Sequence, residues 1–80
     1  MGSRGPKLVD VTMTVIYKRR GNTTGRKRVT VVHNVPEGDA KACKRAWQQG
    51  KNSFRLESVD RTEGGLYCLE PVTDIGIRPC

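Results

Sequence analysis

The sequence predicts an α+β domain. A small antiparallel sheet of four strands in ββαββ order should carry one helix packed on one face, with a short fifth strand at the end. Three observations lead there. Apolar residues alternate with period two over residues 8–17 and 28–35; they recur at helical spacing between residues 38 and 49; and short alternating runs return after residue 53.

The first run reads Leu-Val-Asp-Val-Thr-Met-Thr-Val-Ile-Tyr from Leu8 to Tyr17. Val9, Val11, Met13, Val15 and Tyr17 share one parity, and Asp10, Thr12 and Thr14 the other, with Ile16 as the exception. In the second run Val29, Val31, His33 and Val35 form the more apolar set, which leaves Thr30 and Val32 for the open face. Gly21-Asn22-Thr23-Thr24-Gly25 between them is turn-rich, so the two runs make an antiparallel hairpin.

Pro36 stops the second strand. Asp39 is a candidate N-cap for a helix of about three turns that ends before Gly50, a suitable residue just past a helix end. Ala40, Cys43, Ala46 and Trp47 make its apolar stripe, and Trp47, the largest of them, should anchor it on the sheet.

Residues 53–59 alternate with Phe54 and Leu56 inward, and 60–65 form a polar turn. Residues 66–70 form the fourth strand, which Pro71 interrupts. Ile75 and Ile77 suit a short terminal strand before Pro79. The open face of the sheet would then show Thr12, Thr14, Ile16, Thr30, Val32, Arg55 and Glu57.

Eighty residues make one domain, expected over 8–80 after a flexible tail of residues 1–7. No apolar run is long enough to span a bilayer, and the first residues lack a secretory h-region, so the expected compartment is cytoplasmic. Cys43, Cys68 and Cys80 are odd in number and widely spaced, which argues against a disulfide framework. Cys43 and Cys68 fit small core hydrophobes, and His33 a partly buried position at a sheet end. A Cys₃His zinc set from these residues lacks any closely spaced cysteine pair, so no metal and no cofactor is expected.

The net charge is +7, and all of the excess lies early in the chain. Residues 1–34 hold eight Lys/Arg against one Asp, and residues 35–80 hold seven Lys/Arg against seven Asp/Glu. Lys18-Arg19-Arg20 and Arg26-Lys27-Arg28 flank the hairpin connection. Like charges facing one another destabilise a β-ladder, so folding alone would not favour such a cluster. A polyanion relieves it, because each neutralised phosphate releases condensed counterions.

These six residues are the candidate nucleic-acid-binding set, with Arg19 or Arg26 as a base reader. A solvated, solubilising cluster is the plainer alternative. Tyr17, Trp47 and Phe54 share parity with core residues, and only Tyr67 looks free. This argues against a base-stacking platform and for duplex DNA or structured RNA read by a β-ribbon.

No nucleophile–His–acid pattern, glycine-rich phosphate loop or H-E-x-x-H occurs, and the chain is not expected to be an enzyme. Glu37 and Asp39 near the helix start suit its dipole. The rival reading is a protein-binding adaptor or inhibitor of an acidic protein, of the kind phages or mobile elements encode, using the open face and a sheet edge. Either way the expected state is a monomer or weak homodimer away from membranes.

Overall fold

The computed structural model describes residues 7–17 and 25–79. The tail 1–6, Lys18, Arg19, Arg20, residues 21–24 and Cys80 lie outside the described residues. The elements run β1 (Leu8–Tyr17), β2 (Arg26–Pro36), α1 (Glu37–Gln48), β3 (Ser53–Glu57), β4 (Gly64–Cys68) and β5 (Val72–Pro79). The α+β class, the hairpin and the single helix follow the sequence expectation.

The sheet does not. The strands form a three-stranded antiparallel sheet in the order β2-β1-β5 and a separate two-stranded β3-β4 sheet. The expected single ββαββ sheet is therefore corrected to two sheets and five strands. β5 is a full eight-residue strand rather than a short appendix. Gly76 and Pro79 dilute its strand signal, yet Gly76 has a packing reason. A Cβ at that position would lie 2.7 Å from the Thr12 hydroxyl oxygen, whose hydroxyl donates to the Gly76 carbonyl at 3.2 Å.

A second correction concerns which residues of β2 face the core. Val9 pairs with Val35, but Val11 pairs with Val32, so β2 carries one extra residue in this interval. Asn34 absorbs it in a left-handed conformation, φ 56°, a β-bulge that reverses the inward parity of the strand. Val32 and Val35 are both buried, while Val29, Val31 and His33 are exposed. His33 meets Asp10 at 3.1 Å on the surface.

The bulge also explains why β3-β4 does not extend the larger sheet as a continuous ladder. The His33 amide donates to the Glu63 carboxylate at 2.9 Å, and the Val59 amide donates to the Asn34 carbonyl at 2.8 Å. The small hairpin thus docks by its turn against the edge of β2.

The helix starts two residues before Asp39. Pro36 is the N-cap, and Glu37 and Asp39 lie in the first turn, where their charges suit the helix dipole. The Glu37 amide donates to the Lys7 carbonyl at 2.8 Å, and Lys7 Nζ lies 3.6 Å from the Glu37 carboxylate. At the other end Gly50 takes φ +80°, with Gly50 N–H bonded to the Trp47 carbonyl and Lys51 N–H to the Ala46 carbonyl at 3.0 and 3.1 Å. That pair of bonds is a Schellman closure, for which glycine is the favoured residue.

Ala40, Cys43 and Ala46 are the buried residues of α1. Their small side chains let the helix lie close over Val9, Val11, Met13, Val32, Val35 and Ile75, with Leu56 and Leu69 completing the core. Trp47 packs at the margin, half-buried, and its indole N–H donates to the Val72 carbonyl at 3.0 Å. Phe54 and Tyr67 pair across β3-β4 and pack on the same core. Tyr67 is therefore not the free aromatic. Cys68, two residues from exposed Leu66, stands on the outer face of β4 and is exposed, contrary to expectation.

Candidate nucleic-acid interface

The described part of the basic set is Arg26, Lys27 and Arg28. All three are exposed. The register places Arg26 across from Tyr17, Lys27 across from Ile16 and Arg28 across from Val15. Opposed residues of an antiparallel pair share a face, and successive residues alternate. Arg26 and Arg28 therefore stand with Tyr17 and Val15 on the face that is the core side further along the hairpin. Lys27 stands with Ile16 on the other face.

This register corrects one step of the sequence argument. Within the described ladder each cation faces an apolar or aromatic residue rather than another cation. The stems of Arg and Lys can lie along such neighbours while their charged ends stay in water. Lys18, Arg19 and Arg20 lie outside the described residues, so their side of the cluster is not placed.

β5 last pairs with β1 at Val72–Val15. Beyond that point the sheet is a two-stranded ribbon, carrying Ile16 and Tyr17 on one strand and Arg26 and Lys27 on the other. Ile16 is 46% exposed and Tyr17 50% exposed. Among the described residues no ion pair or hydrogen bond engages the side chains of Tyr17, Arg26, Lys27 or Arg28. The ion pairs lie elsewhere, Lys7 and Lys41 with Glu37 and Arg55 with Glu57, and His33 contacts Asp10. The ribbon end brings together three consecutive described cations that make no described ion pair.

Parity alone places Tyr17 in the core. The parity is right, but α1 does not reach that far. Twelve helical residues span about 18 Å, whereas a ten-residue strand spans about 33 Å. One end of the hairpin must therefore outrun its cover, and only the packing of the helix decides which.

A shallow depression lined by Arg55, Glu57, Arg61, Thr62 and Glu63 mixes both signs of charge, and Arg55 is bound to Glu57 at 2.9 Å. His33, Cys43 and Cys68 sit on separate elements, and no group of three or more His, Cys, Asp or Glu among the described residues is placed to hold a metal ion. Among the described residues no helix is long and apolar enough to cross a membrane. Comparison of the chain with known protein families, with curated proteins and with solved structures finds no match, so any functional reading stands on the hairpin's own geometry and charge.

Proposed function

We propose that this domain binds nucleic acid, duplex DNA or structured RNA, through the basic end of its β1-β2 hairpin. The observation that carries the reading is the ribbon end itself. Arg26 and Lys27 are exposed there without a described counter-charge, on a two-stranded element of a width that a major groove accepts, and Arg28 is exposed at the last rung that β5 still flanks. Lys18, Arg19 and Arg20 join them in sequence. Arginine forks and a lysine ammonium give a phosphate backbone both bidentate and point-charge partners.

The test is a binding titration against duplex DNA and structured RNA at several salt concentrations. If all six cations meet phosphates, log K falls against log salt with a slope of about −5 on B-DNA. Replacing Arg26, Lys27 and Arg28 with Gln should shrink the slope by about 3 units. An unchanged slope in a folded variant would remove the hairpin as the site.

A second reading has one observation in its favour. Val29 and Val31 stand 48% and 38% exposed on the open face of the sheet, next to Thr14 and Thr12. A protein-binding module would use that face, bind nucleic acid weakly without saturation, and keep its partner after the hairpin charges are neutralised.

A further inference from the structure

We infer that Tyr17 is a base-stacking residue, so that the preferred ligand is a nucleic acid with an unpaired base beside a helical stem. This inference rests on the nucleic-acid reading above and narrows its ligand class.

Two features of the ribbon support it. First, Tyr17 is an aromatic ring left half in water beyond the end of both β5 and the helix cover. Exposed aromatic surface is weakly solvated, and a flat π-face suits any base. Second, the ring shares its face of the ribbon with Arg26 directly opposite, and with Arg28 two residues along β2. Side chains at such positions lie about 5–8 Å apart, a spacing that sets phosphate-binding groups beside a stacked nucleotide. An aromatic face beside cations is the combination that single-strand binders use, with stacking for the base and charge for the backbone.

Within a fully paired duplex the ring finds nothing to stack on without the unfavourable unstacking of a base step. A loop or bulge presents a base already unstacked. The other Phe and Tyr residues of the sheets, Phe54 and Tyr67, pack on the core and are not available. Ile16, on the reverse face with Lys27, lacks a π-face.

The experiment measures fluorescence anisotropy with a labelled stem-loop oligonucleotide and with the same stem closed as a fully paired duplex, each as RNA and as DNA. The proteins are the parent chain, Tyr17→Phe, Tyr17→Leu, and the triple variant Arg26→Gln, Lys27→Gln, Arg28→Gln. Circular dichroism checks that each is folded.

The parent should bind the stem-loop about tenfold or more tightly than the duplex, the size of one stacking contact. Tyr17→Leu should lose that preference and keep its duplex affinity and salt slope, whereas Tyr17→Phe should keep it. The triple variant should lose salt slope on both ligands and retain the stem-loop preference. Equal binding of stem-loop and duplex by the parent, or a stem-loop affinity untouched by Tyr17→Leu, overturns the stacking role while salt-dependent binding still upholds the phosphate reading. Absence of salt-dependent binding to either ligand overturns both.

Discussion

Gly64 opens β4 at φ +141°, and a Cβ there would lie 2.6 Å from the Leu56 carbonyl oxygen and 2.7 Å from Glu57 Cα. Both obstacles are backbone atoms of the paired strand and cannot turn aside. Gly65 has a similar φ of +139° but open space around the missing Cβ. Strain of this kind costs about 1–3 kcal/mol per residue. Gly64→Ala should therefore lower stability by about 3 kcal/mol or more, and clearly more than Gly65→Ala, as read by urea unfolding of the two variants. The cysteines differ as sharply. Cys43 is buried on the inner face of α1, and burial pushes its thiol pKa up, whereas Cys68 is exposed. In a Cys80→Ser background, one thiol should react at once with an aromatic disulfide reagent and the second only on unfolding. Two fast thiols would show that the helix does not seal the core as described. The sequence placed Cys43 correctly because its helical stripe is unambiguous. Cys68 was misplaced because a short apolar strand does not reveal which of its parities is buried.

At the scale of elements, the turn that joins β3 to β4 holds the larger sheet's bulge in place. Asp60 gathers the turn. Its carboxylate accepts bonds from the Ser58 hydroxyl at 2.6 Å, the Thr62 hydroxyl at 2.7 Å and the Thr62 amide at 3.1 Å. A side-chain bond from Asn34 adds to these and ties the turn to the bulge. Led by the Ser58 bond, these donors hold the Asp60 pKa at about 2, below the ordinary 3.8. A carboxyl whose pKa is depressed by folding stabilises the folded turn above its ordinary value. That contribution is lost as the pH falls through the depressed one. The turn should therefore stay ordered at pH 4 and loosen as the pH approaches 2. The Thr62 amide shift in an NMR titration should report a midpoint of about 2, and a midpoint of about 4 would show that the bonds do not form in solution. None of this network was legible beforehand. The sequence gives a polar turn over residues 60–65, but not that Asn34, more than twenty residues earlier, would be its partner.

At the scale of the whole molecule, two regions have different tasks. The body packs α1 and both sheets around one core. The hairpin end projects past Val72 and Val15, where it contributes no residue to the buried core. Substitutions there should leave the body intact, since exposed positions away from special backbone geometry usually shift stability by no more than about 0.5 kcal/mol. The Arg26→Gln, Lys27→Gln, Arg28→Gln variant should keep the parent's thermal midpoint, or raise it slightly by relieving repulsion, while its nucleic-acid affinity falls. A midpoint lowered by several degrees would mean that these side chains support the fold, and the argument from uncompensated charge would lose its ground.

Local patterns determined much of this protein. The hairpin, the helix with its Ala40, Cys43 and Ala46 stripe, the inward set of β1 and the concentration of charge all follow from residue spacing, because period and charge are properties of neighbours in the chain. Tertiary structure decided three things that spacing cannot carry. One extra residue at Asn34 reversed the inward parity of β2, and a single bulge changes every side chain beyond it. β5 took the free edge of β1, a choice between non-local partners that its Gly76 and Pro79 do not announce. The helix stopped short of the strand it covers, and that difference in length turned Tyr17 from an expected core residue into an exposed ring among cations.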